Sequence, residues 1–366
     1  MRFLGSAAIF SWIMIGVAEV FSIGAMAQEA PSQEEASITR GTAKIKKFNH
    51  MDLSVTLGTT GVGFDVTMPI NNIVQLRTGF TFMPHFTATM NFGVQVGDEA
   101  MTQAEQDAKF EKMSTLLEEM IGTTVDQSID MKGKPTFWNF KLLVDVFPFK
   151  DKHWHLTGGF YWGPSKIAVA ENAVYDATSL VAMSLYNKLY DKVIASYESY
   201  GDFPYISIGG NELYAGYDLV ETFMSYGKLG VHVGDYKDGT PYRMVPDEDN
   251  VVKTTIKVNS FRPYLGFGYG GRLFKGNDDY FVSFDCGLIF WGGTPRIMTT
   301  TLVEATDADG NTIYDETGFL PTYTAKKVDL AKDVENIGGK VGDYVDVIKA
   351  FKVYPEISVR FSRRIF

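Results

Sequence analysis

Val353-Tyr-Pro-Glu-Ile-Ser-Val-Arg-Phe-Ser-Arg-Arg-Ile-Phe366 ends the chain, and its reading decides the fold. Ile357, Val359 and Phe361 alternate with Glu356, Ser358, Arg360 and Ser362, so one face suits hydrocarbon and the other a polar interior. An alternating strand that ends on an aromatic residue closes many bacterial outer-membrane barrels, with Phe361 and Phe366 as the terminal assembly signal. The apolar positions are out of phase with Phe366. A bulge at Arg363-Arg364 would reconcile them; otherwise the last residues lie past the wall.

A closing strand needs partners, and seven earlier stretches share its period. Leu53, Val55 and Leu57 alternate with polar residues up to Thr59-Thr60-Gly61, where the phase shifts to Val62, Phe64, Val66 and Met68. After Pro69-Ile-Asn-Asn72 the pattern returns in Val74, Leu76, Phe80 and Phe82, and again from Trp138 to Val146 and from Trp154 to Trp162. Pro263 to Tyr269 and Val282 to Phe290 complete eight, joined at Gly276-Asn-Asp-Asp279; ten are reached if a hairpin at Asp238-Gly239 joins the wall. The connections at Pro69, Lys150 and Gly276 are short, and those spanning 83–136, 163–253 and 292–352 are long. This is the asymmetry of periplasmic turns and extracellular loops.

The fold class expected is therefore an all-β membrane barrel of about eight antiparallel transmembrane strands, residues 51–366, with some α-helix in its long extracellular loops. Thr102-Gln-Ala-Glu105 is a capping box, Phe110, Met113, Leu117 and Met120 share a helical face, and Gly122 stops that helix. Further helices are expected around Leu185, Leu189 and Val193 and from Tyr344 to Phe351. The front end agrees with export. Residues 1–27 carry Arg2, an apolar run from Ile9 to Val17 and Ala25-Met-Ala27, a signal peptide; residues 28–50 read as a periplasmic leader. No later segment offers the ~18 uncharged apolar residues of a spanning helix. The 27 Phe, 19 Tyr and 36 Gly are a barrel's mixture, and the single Cys286 excludes an intrachain disulfide.

Six segments are similar to known proteins. Gly61-Val-Gly-Phe-Asp-Val66, Pro69-Ile-Asn-Asn72 and Leu76-Arg-Thr-Gly-Phe80 look like the second and third strands of small eight-stranded outer-membrane barrels. Phe140-Lys-Leu-Leu-Val-Asp-Val-Phe-Pro-Phe149, Gly159-Phe-Tyr-Trp-Gly-Pro-Ser-Lys166 and Asn259-Ser-Phe-Arg-Pro-Tyr-Leu-Gly-Phe-Gly-Tyr-Gly-Gly271 resemble a family of uncharacterised outer-membrane proteins of Bacteroidota. The resemblance implies an outer-membrane barrel. It brings no ligand, reaction or catalytic residue.

The polar phase of the strands collects Asp65, Arg77, Lys141, Asp145, Arg262, Asp285, Glu356 and Arg360 in one lumen, four acids and four bases. An eight-stranded barrel is wide enough only for its own side chains, so these are expected to form an ion-pair plug rather than a proton path. Trp138, Trp154, Trp162 and Trp291 lie near strand ends, as membrane-interface aromatics do. His153 and His155 share a strand face but have no third ligand in sequence; both are expected at the periplasmic interface. Asp307, Asp309 and Asn311 fit a hairpin turn better than a calcium loop, since position twelve would be Gly318. No metal or cofactor is expected.

The three long segments hold 9, 13 and 10 acids against 4, 7 and 7 bases, a net −14, while the whole chain is −10. Acidic loops argue against nucleic acid. No catalytic motif appears, and His85 and His232 have no partnered nucleophile, so an enzyme is not expected. The partners expected are outer-membrane lipid, the barrel assembly machinery and an extracellular ligand of unknown kind. The functional expectation is a surface binding or adhesion-type platform with a filled lumen. The alternatives are a narrow transporter of a small or hydrophobic solute and a soluble periplasmic β-sandwich.

Overall fold

The computed structural model describes residues 50–97, 101–200, 205–208, 211–214, 217–244, 246–247, 251–314 and 322–365. The expected signal segment, the leader up to Asn49, and Phe366 lie outside these residues. β1 (Asp52–Gly58), β2 (Gly61–Pro69) and β3 (Val74–Phe82) form a meander. The chain then runs through β4 (Ala88–Gly93), β5 (Gln95–Val96), α1 (Gln103–Ile121) and β6 (Ser128–Pro135) before β7 (Trp138–Val146) and β8 (Trp154–Trp162). A second excursion holds β9 (Lys166–Asn172), α2 (Ala177–Tyr200), β10 (Tyr205–Ile208), β11 (Asn211–Tyr214), α3 (Tyr217–Tyr226), β12 (Leu229–Tyr236), β13 (Pro241–Met244) and β14 (Lys253–Lys257). It leads to the hairpin β15 (Phe261–Phe274) and β16 (Asn277–Phe290). A third excursion carries β17 (Arg296–Glu304), β18 (Tyr323–Asp329), β19 (Val334–Glu335) and α4 (Gly339–Ala350), and β20 (Val353–Arg364) follows.

Eight of these strands close on themselves in the order β1-β2-β3-β7-β8-β15-β16-β20. Every neighbouring pair is antiparallel, and β20 returns to β1 with Val55 opposite Phe361 and Leu57 opposite Val359. The fold is thus an all-β closed barrel of eight antiparallel strands, and among the described residues no helix is long and apolar enough to cross a membrane. The hairpin at Asp238-Gly239 is β12–β13, outside the wall, so the ten-strand alternative falls away. The β20 register runs unbroken to Arg364 on β1 and to Arg363 on β16, so no bulge interrupts it. The expected turn at Gly276-Asn-Asp-Asp279 is shorter than read: pairing continues to Phe274 opposite Asn277, with Gly276 in the left-handed region at φ 79°.

Period-2 alternation sorts the wall. Leu53, Phe64, Phe80, Leu156, Leu265 and Phe361 point outward and remain exposed, while the residue before each is buried inside. Aromatic pairs gather at both ends of this apolar belt: Trp138 with Trp162, ring centroids 5.9 Å apart, at one end, and Trp154 with Tyr269, 5.0 Å apart, at the other. Eight residues of β8 separate the two ends, about 26 Å along the strand at ~3.3 Å per residue.

The long connections are a second folded region. β4, β6, β9, β14, β17 and β18 form one six-stranded sheet in the order β18-β17-β14-β9-β6-β4. Five adjacent wall strands, β3, β7, β8, β15 and β16, therefore break briefly and resume, in the same order, as β4, β6, β9, β14 and β17 of the cap sheet. Pro84, Pro135, Pro164 and Pro295 stand at these breaks, where a residue without an N–H cannot continue a ladder. Phe92, Ile129, Met131, Ile297 and Val328 on one sheet face pack with Met113 and Leu117 of α1, Met183 and Tyr186 of α2, Phe223 of α3 and Val345 of α4 in one apolar cluster. The α1 stripe at Phe110, Met113 and Leu117 is thus buried in the cap's own core. On α2 the buried side is Leu180, Met183, Tyr186 and Val193, and Leu185 is exposed.

Candidate functional site

Two layers fill the barrel. In the layer toward the short turns, Asp285 accepts from Arg77 at 3.3 Å and Arg360 at 3.3 Å, and its other oxygen meets His155 Nε2 at 2.7 Å. Asp145 accepts from Arg77 at 2.9 Å and from the Thr157 hydroxyl at 2.7 Å. Beside them Lys141 Nζ lies 2.8 Å from Asp65, whose other oxygen accepts from Thr56 at 2.7 Å. Each of these residues is buried, so each charge is held by a partner and not by water. Glu356 has no base within 4 Å among the described residues; the Tyr264 hydroxyl donates to it at 3.3 Å.

The layer under the cap is aromatic. Leu143, Tyr161, Tyr264, Ile289 and Tyr354 form a second apolar cluster inside the wall, with Trp291 packed on it. Gly266 and Gly287 make room for the Tyr264 ring: a Cβ on either would stand 2.4 or 2.5 Å from its Oη. The Tyr354 hydroxyl donates to the Thr59 carbonyl at 2.6 Å and seals the β1–β2 turn to the closing strand. The space left between Thr60, Phe137, Asn139, Arg262, Trp291 and Tyr354 at the mouth is about 10 Å³. That is about the least that one water needs.

Of the eight luminal charges read from the sequence, seven lie in the body of the lumen. Arg262 does not join the network. It sits at the mouth, donating to the Asn139 side chain and to the carbonyls of Pro164 and Asn259, because it begins β15 next to the break in the wall. Its place among the bases falls to His155, which strand phase alone puts inside and which the interface reading had misplaced. His153 stays outside, stacked on Tyr269 with centroids 5.7 Å apart. Trp138, Trp154 and Trp162 face outward at the belt's edges. Trp291 turns inward and stacks on Tyr354 at 5.3 Å, since the outward phase of β16 ends on Phe290.

In the cap, the Tyr175 hydroxyl donates a short hydrogen bond to Asp130, which also accepts from Asn91 at 2.9 Å. Asp176 accepts from the Asp130 backbone N–H at 2.8 Å, and Ser179 bonds Asp126 at 2.8 Å, so the approach to α2 is latched to β6. The donated phenol holds the Asp130 carboxyl below its ordinary value, and the same bond pushes the Tyr175 phenol up to about 12. Burial raises Asp176. Asp307 accepts backbone N–H groups of Asp309 and Asn311, each at 2.9 Å, as a turn does. His85 is exposed, and His232 lies 3.6 Å from Asp235. Among the described residues no group of three His, Cys, Asp or Glu side chains is placed to hold a metal ion. On the outer wall, Leu53, Val55, Phe64, Phe80 and Phe361 line an open apolar groove of about 680 Å³.

No protein-family model matches the chain, and no curated protein matches it. Among solved structures, the chain is similar to Acinetobacter baumannii CarO2 at 12% identity and a TM-score of 0.34, over 86% of this chain and 98% of that one. It is similar to Acinetobacter baumannii CarO at 12% identity and a TM-score of 0.34, over 87% of this chain and 99% of that one.

Proposed function

We propose that this chain is an outer-membrane β-barrel that serves as a closed platform and carries its function in the cap, as a surface-exposed binding or adhesion-type protein. The filled lumen supports this reading. Buried ion pairs occupy one layer, aromatic rings the other, and the space left at the mouth is about that of a single water. An open solute path would require both layers to rearrange. The outward apolar belt with aromatics at both ends supports the membrane setting, because only hydrocarbon leaves such a surface without a hydrophobic penalty. The cap, with an apolar core of its own, is a folded region on which a binding surface can be built.

The full chain reconstituted into a planar bilayer is expected to give no step conductance above the bare membrane. Steps comparable to those of an open porin would overturn the closed-platform reading and restore the transporter. Protease treatment of intact cells tests the orientation: cuts within 83–136, 163–253 or 292–352 place the cap outside, whereas cuts at the short turns of intact cells would invert it.

A further inference from the structure

The cap's net negative charge hides a basic rank. Where the wall resumes as the cap sheet, Lys166 of β9 stands opposite Lys257 of β14, and Lys257 stands opposite Arg296 of β17. Lys134 of β6 joins them from the next strand over, one residue before Pro135, which pairs with Ala168. Among the described residues none of these four has a carboxylate within 4 Å, whereas Lys253, higher on the same face, is paired with Glu171 at 2.6 Å. Like charges opposite one another weaken a sheet, so three aligned bases are a local cost that the fold itself does not offset.

Their direction is fixed by their neighbours. Ile167, Val258 and Ile297, each next in sequence to one of the three, are buried, so Lys166, Lys257 and Arg296 occupy the opposite face. That face continues the barrel's outer surface. Lys134 is four residues from Trp138, Lys166 four from Trp162, and Lys257 four from Phe261, and all three aromatics point outward. Four residues of strand are about 13 Å, so the bases sit just above the aromatic edge of the apolar belt, where lipid headgroups begin. Of the acids of this face, Asp130, Glu171 and Glu304 lie farther from the rim along their strands, and Asp329, opposite Met298, is taken up by the backbone N–H groups of Ile297 and Ala331.

We propose that Lys134, Lys166, Lys257 and Arg296 form a binding surface for phosphorylated lipid headgroups of the leaflet on the cap side. Adjacent strands are ~4.8 Å apart, so the rank spans about 14 Å, enough to engage two phosphates of one headgroup. The inference rests on the membrane reading above. It gives the platform a fixed lipid neighbour on four strands of its wall, β7, β8, β15 and β16, and leaves the opposite side of the rim free of bound headgroups.

The test uses the full chain in nanodiscs holding equal amounts of a diphosphorylated glucosamine lipid and its dephosphorylated counterpart, with retained lipids counted by native mass spectrometry. Insertion is scored separately, by protease protection of the wall strands. The wild type is expected to retain the phosphorylated lipid by a factor on the order of ten over the other. Lys166→Gln/Lys257→Gln/Arg296→Gln should lose that preference, Lys166→Arg/Lys257→Arg/Arg296→Lys should keep it, and Lys112→Gln/Lys332→Gln should not change it. Insertion with equal retention of the two lipids would overturn the proposal and leave the membrane reading intact; failure to insert would sink the membrane reading itself. Loss of the lipid to millimolar inorganic phosphate would replace the headgroup with free phosphate as the ligand.

Discussion

Asp285 in the barrel and Met113 in the cap are both shut off from water, yet they are held by opposite means. Asp285 is surrounded by Arg77, Arg360 and His155, each at hydrogen-bond distance, while Met113 is buried in the apolar cluster of helices and sheet. On the membrane reading proposed above, the difference follows from what each region has outside it. A wall facing hydrocarbon gains nothing by turning apolar side chains inward, so directional polar contacts specify its interior. A cap facing water gains from every apolar group it hides.

Removing one partner from each region is the strongest way to break this comparison. Asp285→Ala takes the nearest carboxylate from Arg360 and His155 and leaves Arg77 with Asp145 alone, and a loss of about 3–5 kcal/mol is expected in the barrel, read as a lowered urea midpoint or lost heat-modifiable gel migration. Met113→Ala should cost about 2–5 kcal/mol, read as faster hydrogen exchange across α1 and β6 with the wall strands still protected. If both variants unfold wall and cap together, the two regions are one cooperative unit and the comparison fails.

A smaller effect sharpens the packing side. Gly287→Ala drives a methyl into Tyr264 and should lower barrel stability by about 1–3 kcal/mol, and Tyr264→Phe in the same chain should recover part of it. At the cap surface, the Thr102 hydroxyl accepts from Glu105 N–H while the Glu105 carboxylate reaches back to Thr102 N–H, so Thr102→Ala should cost ~1 kcal/mol and speed exchange in the first turn of α1 alone.

The smallest expected change concerns the Tyr175–Asp130 latch. Asp130 is depressed, so its contribution is present above the ordinary carboxylate range and fades as pH falls through the folded value. Tyr175 is raised, so its contribution holds below the ordinary phenol value and is lost as pH climbs through about 12. Ultraviolet titration of wild type against Tyr175→Phe should show one phenol ionising near 12, and Asp130→Asn should return it toward 10.

Much of the wall was legible because a strand's face is a local property. From Leu53-Ser-Val to Ile357-Ser-Val, the period of two announces which side chains face out, and the eight strands so read are the eight that close. The capping box at Thr102 and the stop at Gly122 are legible for the same reason, since cap and helix are in contact along the chain. Arg262 and Trp291 escaped because each lies where a strand ends: the period puts Arg262 inside but does not say how deep, and aromatic residues at strand ends read as interface anchors. Strict phase counting from Phe290 would have turned Trp291 inward.

The sequence by itself determined the class of wall, the polarity of its two faces and the acid–base content of its lumen, because alternation and charge need no knowledge of a partner. The tertiary structure alone decided that broken segments scattered from Ala88 to Asp329 line up as one sheet in the order of the strands beneath them. It also decided that Lys166, Lys257 and Arg296, some 130 residues apart at the extremes, stand side by side. Pairing between strands distant in sequence depends on chain closure and register, and no local period encodes either.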